Sequence, residues 1–233
     1  VRELGRDTEG VKLAPRVVVG RVSLYLRQLE AFQRQGHTTI SSSQLGAPLA
    51  IKNAQVRKDL ACFGQFGHPG VGYRIDDLTT ALRQALGIDR DWPLAVVGLG
   101  NLGRALLGYR GFRSRRFKIV AIFDNDPGKL GQKYEGLTVE PLESLRRSAA
   151  NHKIHLGLLC VPAEAAQKVA DQMVLAGISG ILNFAPVPLT VAPHVNVVNV
   201  DLSVQLENLA YKVLKTQEGI VARGSLPAVL SDR

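Results

Sequence analysis

Cysteine is scarce: the 233-residue chain has two, Cys62 and Cys160, in distant segments. No disulfide framework or paired redox motif follows from such spacing, and two reduced thiols fit a reducing compartment. Long hydrophobic runs are absent too. No stretch approaches the roughly 18 apolar residues that a membrane span needs. The first residues, "VRELGRDTEGVKL", are charged and lack the apolar segment of a signal peptide. The expectation is a cytoplasmic protein with no membrane partner. The third scarcity is acid. From Lys12 to Arg74 there are nine Lys and Arg against two Asp and Glu, within a net charge of +9 for the chain. A basic segment of this kind points to a polyanion, nucleic acid before an anionic membrane surface; a solvated basic face is the plain alternative.

What is present is enough for two cores. Hydrophobic residues make up 45% of the chain and mean hydropathy is near zero, as in soluble globular domains. No internal repeat is visible. Residues 15–76 read as helices and a ribbon. "PRVVVGRVSLYLRQLEAFQRQG" places Val18, Val22, Leu26, Leu29 and Phe32 at helical spacing, with Pro15 suited to the first turn and Gly36 to the end. "ISSSQLGAPLA" opens on capping serines, and Pro48 makes that helix short or bent. Asn53 then reads as the N-cap of "AQVRKDLACFG", which turns Val56, Leu60 and Phe63 inward and Ala54, Arg57, Lys58 and Ala61 outward, with Gly64 closing it.

Two short helices across a tight turn, the second basic on its outer face, fit a helix-turn-helix. Small residues let such a helix enter a major groove, and cations reach bases or phosphates. The glycine-rich "GQFGHPGVGYRI" that follows reads as a hairpin lying on the flanking backbone, which makes the unit a winged helix. Candidate DNA contacts are Gln55, Arg57 and Lys58 on the helix and Gly67, His68 and Gly70 in the wing.

Residues 92–201 switch to alternating strands and helices, the pattern of a Rossmann doubly wound parallel sheet with crossover helices. Residues 77–91 read as a linker helix, 202–215 as a final amphipathic helix, and 1–14 and 216–233 as a flexible arm and tail. Within this half, Gly98-Leu99-Gly100-Asn101-Leu102-Gly103 matches G-x-G-x-x-G after an apolar strand and before a helix, with Asp124 at the end of the next strand. Gly98 would make the tight turn, Gly100 would admit a pyrophosphate, and Gly103 would let helix and strand pack. Asp124 would accept from ribose hydroxyls. That carboxylate favours NAD over NADP, and Lys129 nearby weakens the preference.

Other motifs carry less. Tyr211 and Lys215 have the Y-x-x-x-K spacing of a proton relay, but on the last helix rather than one facing a nicotinamide. His152 and His155 lack partners for a metal and read as a surface pair. Cys62 on the basic helix reads as packing rather than as a thiol sensor. No metal and no catalytic residue is expected.

The ordered set "SLYLRQLE", "SSSQLG", "QVRKDLACFG", "GVGY", "VVGLGNLGRALLGYRGF", "FDNDPGK", "GILNFAP" and "NVDL" resembles the Rex redox-sensing transcriptional repressors of bacteria over about residues 15–215. The resemblance implies a homodimer with an N-terminal winged helix, a Rossmann domain that holds NAD(H) as a regulatory ligand, and a C-terminal swapped helix. It also implies binding to a palindromic operator in the apo or NAD+ state and release by NADH. Carried over by motif, Gly98, Leu99, Gly100, Asn101, Leu102, Gly103, Asp124 and Lys129 would serve the adenine half of the dinucleotide. Val161, Pro162, Asn183 and Pro186 would border the nicotinamide half. Arg27, Tyr109 and Asp201 fall where the family couples its domains. His68-Pro69 at the wing tip departs from the Lys or Arg found there in relatives, and Pro48 is a second departure. Two other readings stay open: an NAD-dependent oxidoreductase, or a nucleotide- or coenzyme A-binding module, each with a basic appendage.

Overall fold

The computed structural model describes residues 14–68 and 70–222. The chain divides into two units between Asp91 and Trp92. The first contains α1 (Arg16–Arg34), β1 (Thr39–Ile40), α2 (Ser42–Gly46), α3 (Asn53–Ala61), β2 (Tyr73–Arg74) and α4 (Ile75–Ala85). Pro15 occupies the N-cap of α1, and Val22, Tyr25, Leu26 and Leu29 form its buried face. A capping box opens α2: Gln44 N donates to Ser41 Oγ at 3.1 Å and Ser41 N to Gln44 Oε1 at 2.9 Å. Pro48 lies just beyond this five-residue helix, in a 3-10 turn over Ala47–Leu49, where a missing N–H interrupts nothing. The turn needs Gly46, since a Cβ there would meet Val56 and the Ile51 carbonyl.

Three local expectations are corrected. Lys52, not Asn53, is the N-cap of α3; Asn53 is the first helical residue. In the wing, β2 pairs antiparallel with β1 (Thr39↔Arg74, Ile40↔Tyr73) rather than with the ribbon before it. The ribbon closes on itself, His68 N donating to Gly72 O at 2.8 Å and Gly72 N to His68 O at 3.0 Å. Gly72 has φ +86°, and a Cβ would sit 2.5 Å from Ile40 O, so the β1 crossing excludes a side chain. Pro69 lies outside the described residues. Lastly, residues 77–91 are more than a linker. Ile75, Leu78 and Leu82 of α4 are buried with Val22, Leu29, Val56 and Leu60, so α4 is a wall of the winged-helix core.

The second unit contains β3 (Trp92–Val97), α5 (Asn101–Leu107), α6 (Arg110–Arg113), β4 (Phe117–Asp124), β5 (Lys133–Tyr134), β6 (Leu137–Pro141), α7 (Leu145–His152), β7 (Leu156–Leu159), α8 (Ala163–Leu175), β8 (Gly180–Asn183), β9 (Asn196–Asn199) and α9 (Leu202–Ala222). The sheet runs β5-β6-β4-β3-β7-β8-β9, parallel except for the β5–β6 hairpin. Its six parallel strands therefore follow the 3-2-1-4-5-6 order of a dinucleotide-binding fold. Two crossovers differ from expectation: β4 reaches β6 through the β5 hairpin, and β8 reaches β9 through irregular residues 184–195.

Leu94, Ala95, Val96 and Val97 are all buried because β3 is covered on both faces. On one face Val97, Phe123 and Leu159 pack with Leu145, Val169 and Met173 of α7 and α8. On the other, Val96, Ile122 and Leu158 pack with Leu99 and Leu107 at α5. This second face is thinly covered over β7–β9. It leaves an apolar depression of about 380 Å3 whose lining includes Leu94, Phe112, Leu156, Leu158, Leu182 and Val198.

The last helix outruns its expected limit of residue 215 and continues to Ala222. Lys215 Nζ and Glu218 Oε2, 2.7 Å apart, support the added turn. Residues 216–222 are thus helical rather than tail, and 1–13 and 223–233 lie outside the described residues.

Candidate functional site

The glycine turn shows which glycines the fold requires. At Gly98 (φ +96°) a Cβ would sit 2.5 Å from Cys160 O, where the ends of β3 and β7 converge. At Gly103 it would strike the Gly98 carbonyl, so α5 packs directly on the turn. Gly100 is different. Its φ is ordinary at −75°, and nothing lies within 4 Å of the position its Cβ would take. That open side belongs to a cleft of about 350 Å3, lined by Gly98, Gly100, Asp124, Lys129, Val161 and Pro162 among others. It lies at the β3/β7 switch point, beyond the carboxyl ends of the strands, where open α/β sheets bind ligands. The space a Gly100 side chain would fill fits the passage of a pyrophosphate.

Asp124 is held rigidly at the cleft. Its Oδ2 accepts from Leu99 N at 2.7 Å and Lys129 Nζ at 3.1 Å, and its Oδ1 from Asp126 N at 2.8 Å. Burial pushes its pKa up, but the two backbone N–H groups and then Lys129 outweigh burial, and the net shift is down. The same hydrogen bond raises the pKa of Lys129. A carboxylate has about four acceptor positions. Three are used here, leaving one for a ribose hydroxyl.

Other expected contacts are less direct. Leu99 is fully buried in the α5 core and offers its N–H, already given to Asp124. Asn101 and Leu102 are exposed in the first turn of α5, outside the cleft lining. Pro186 is likewise exposed and outside it. Asn183 ends β8 with its side chain fully buried and its amide hydrogen-bonded within the protein. Nδ2 donates to Val187 O (2.8 Å) and Asn199 Oδ1 (2.9 Å), while Oδ1 accepts from Ala185 N (2.9 Å). Sequence reasoning missed Val97, Leu142, Cys160, Ala165 and Val169 in the lining, since apolar positions look alike in sequence whether they face a core or a cleft, and it missed Asn125, the residue after Asp124. Burial pushes the Cys160 thiol up to about 12, which leaves it protonated and unreactive at neutral pH.

In the first unit, Ala54, Arg57, Lys58 and Ala61 are exposed on α3 as expected. Arg57 Nη1 donates to Ser42 Oγ at 3.2 Å. Gln55, half-buried, turns its Nε2 to Asp59 Oδ1 at 2.7 Å. Asp59, 1% exposed, is the main group the sequence reading overlooked. It also accepts from Arg21 Nε (2.6 Å), Arg21 Nη2 (2.7 Å) and Tyr25 OH (2.8 Å), tying α3 to α1. Burial raises its pKa, and the bonds from Arg21, Tyr25 and Gln55 more than reverse that, so it lies below the usual carboxylate range. Burial and Asp59 both raise the Tyr25 hydroxyl. The available signal was an acid within a cationic segment, three residues after Val56 on the inward face. Gly67, His68 and Gly70 are exposed in the wing.

The three expected coupling residues occupy separate local settings. Arg27 is exposed on α1. Tyr109 is the N-cap residue of α6, its ring edge-on to Phe112 at 5.0 Å. Asp201 Oδ1 accepts from Ser203 N (2.9 Å) and Val204 N (3.2 Å), capping α9. Among the described residues no cluster of three His, Cys, Asp or Glu could hold a metal, and no helix is long and apolar enough to cross a membrane.

A winged helix with a basic outer face, in one chain with a dinucleotide-type cleft, defines a DNA-binding regulator of the ligand-responsive class. Comparison with known proteins gives the family. Residues 14–61 match the model of a putative DNA-binding protein N-terminus, and residues 89–187 that of a CoA-binding domain. The redox-sensing transcriptional repressor Rex of Pelotomaculum thermopropionicum is 47% identical over 203 residues, covering 87% of this chain and 95% of the relative. Rex of Streptomyces avermitilis is 40% identical, covering 93% of this chain and 86% of the relative. The crystal structure of RSP in complex with beta-NAD+ and operator DNA superposes with a TM-score of 0.84 at 33% identity, covering 93% of this chain and all of that one. RSP with beta-NADH gives 0.80 at 32% identity, covering 92% and 100%. The chain belongs to the Rex family of redox-sensing transcriptional repressors.

Proposed function

We propose that this protein represses transcription by binding operator DNA as a homodimer in the apo or NAD+ state, and that NADH entering the Rossmann cleft releases it. The carrying observation is Gly100: the fold does not need glycine there, and the open space beside it adjoins the fixed carboxylate of Asp124. RSP, which matches both units, has been crystallised with NAD+ and operator DNA and, separately, with NADH. Gly98, Gly100, Asp124, Lys129, Val161 and Pro162 would hold the dinucleotide. Arg57 and Lys58 would meet DNA, with Gly67, His68 and Gly70 on the flanking backbone.

The dimer reading rests on α9, where Leu202, Leu206, Leu209, Tyr211 and Leu214 are all more than half exposed, and on the apolar sheet face over β7–β9. A partner's α9 would cover apolar surface that one chain leaves in water. Arg27, Tyr109 and Asp201 are proposed as the coupling set on the family resemblance, and the cytoplasm is the proposed location.

The relatives are named as repressors rather than enzymes. The CoA-binding description covers the second unit alone, whereas the relatives match across both. The test is selection of an operator from random-sequence DNA, then titration by fluorescence anisotropy with and without NADH at one salt concentration. NADH should weaken operator binding by well over tenfold, a tenfold change being about 1.4 kcal/mol. Affinity indifferent to NADH would refute the reading.

A further inference from the structure

In a 3-2-1-4-5-6 sheet each half holds one nucleotide of the pair, so the second nucleotide faces the carboxyl ends of β7 and β8. Asn183 is the last residue of β8, fully buried, and every polar group of its side chain is used. One side of it holds the loop beyond β8, through Ala185 N and Val187 O. The other holds the β9 end, through Asn199 Oδ1 and through Val200 N, which donates to the Asn183 carbonyl at 2.8 Å. Phe184 N in turn donates to Leu159 O at 2.9 Å, next to the cleft residues Val161 and Pro162. Two residues past Asn199 stands Asp201, which caps α9. Hydrogen bonds and two short stretches of chain therefore connect the second-nucleotide side of the cleft to the root of the exposed helix.

We infer that Asn183 and Asn199 form the joint that transmits the cofactor's redox state to α9, acting as positioning residues rather than ligand contacts. The inference rests on the proposed function above. The physical basis is that the Asn183 amide joins the two segments, with one Nδ2 hydrogen donated to Val187 O in the loop and the other to Asn199 Oδ1 at the β9 end. If the reduced and oxidised rings favour different positions of the β8 loop, the loop cannot shift alone: either Asn199 and the α9 cap follow, or a buried amide loses a partner. Such a lost partner is costly in a buried site, so the two segments have discrete joint arrangements rather than independent ones. The exposed side chain of Asn199 makes the joint testable without hollowing a core.

The experiment is a thermodynamic square on the full-length dimer: operator affinity with and without NADH, in wild type, Asn199→Ala and Asn199→Asp, at one ionic strength. Asn199→Ala removes the acceptor, while Asn199→Asp keeps an oxygen for Asn183 Nδ2. In Asn199→Ala, operator affinity without NADH and NADH affinity without DNA should each stay within about threefold of wild type. The factor by which NADH weakens operator binding should fall at least about tenfold, within the usual range of coupling factors. Asn199→Asp should retain the wild-type factor. An unchanged factor in Asn199→Ala overturns the inference, and so does an equal loss in Asn199→Asp, because the acceptor would then be irrelevant. Wild-type protein that ignores NADH overturns the proposed function itself, which sets that failure apart from failure of the joint.

Discussion

Replacing Asp59 with Ala removes a carboxylate that accepts four hydrogen bonds while 1% exposed. Tyr25 OH and Gln55 Nε2 lose their acceptor, and the Arg21 guanidinium, a quarter exposed, loses both bonds. Breaking a buried ion pair from one side costs about 3–5 kcal/mol. The lower end, about 3 kcal/mol, applies because water can reach Arg21 in part. For a unit of this size, about 3 kcal/mol lowers Tm by about 12–24 °C. Circular dichroism of the full chain should show the helix-rich first unit melting earlier by that amount. Tyr25→Phe, which deletes one hydroxyl, should lose about 1 kcal/mol. Replacing the pair together, Asp59→Leu with Arg21→Met, should recover much of the loss, since a well-packed apolar pair can match a buried ionic one. An Asp59→Ala shift below about 4 °C would refute the view that this network locks α3 to α1.

Lys58→Ala should lose specific operator binding while keeping NADH binding, since Lys58 is exposed with no role in the core; electrophoretic mobility shift and NADH titration check the two halves. Arg57→Ala should weaken operator and random DNA alike and reduce the salt slope of log affinity by about one, if Arg57 meets a phosphate. Gly100→Val should fold with near wild-type Tm, because nothing lies near its Cβ, yet lose NADH binding and stay on the operator at any NADH concentration. Acid should act on the first unit through Asp59. Its folded pKa is depressed, so its contribution is complete above the unfolded carboxylate value, about 3.9, and is lost as pH falls through the folded value. Denaturant midpoints should therefore hold from pH 7 to about pH 5 and drop below about pH 4, with a smaller drop in Asp59→Ala.

The fold was legible where period and spacing decide it. Alternating strands and helices, the glycine turn and Asp124 placed the Rossmann core, and the outward face of α3 followed from helical periodicity alone. The misread elements have partners that periodicity does not name, whether one helical turn away or more than thirty residues off. Gln55 reads as a groove-facing amide until Asp59 is seen buried beneath it, and Asp59 reads as surface acid until Arg21 and Tyr25, more than thirty residues earlier, are brought alongside. Asn183 enters as a nicotinamide-side residue through the family resemblance alone, and only its hydrogen bonds to Val187, Asn199 and Ala185 show that its side chain is held within the protein. The helix α4 reads as a linker because its amphipathic face does not say which core it joins.

Glycines separate the two kinds of information most sharply. Gly98 and Gly103 are required by the protein's own backbone, which would collide with any side chain there, so a structural cause explains them completely. Gly100 has no such cause: its φ is available to any residue and the space beside it is open. The open space there adjoins the fixed carboxylate of Asp124, and it is the space the proposed dinucleotide would use. A ligand there can move a DNA-binding equilibrium only through its differential affinity for the two states of the proposed dimer. Taking that equilibrium from 1:99 to 99:1 requires about a 10⁴-fold preference. Reduced and oxidised rings differ by one hydride and one positive charge, too small a change to deform a close-packed core continuously. The preference must then be expressed where alternative packings exist, and the apolar residues of α9 left exposed by a single chain offer such a place.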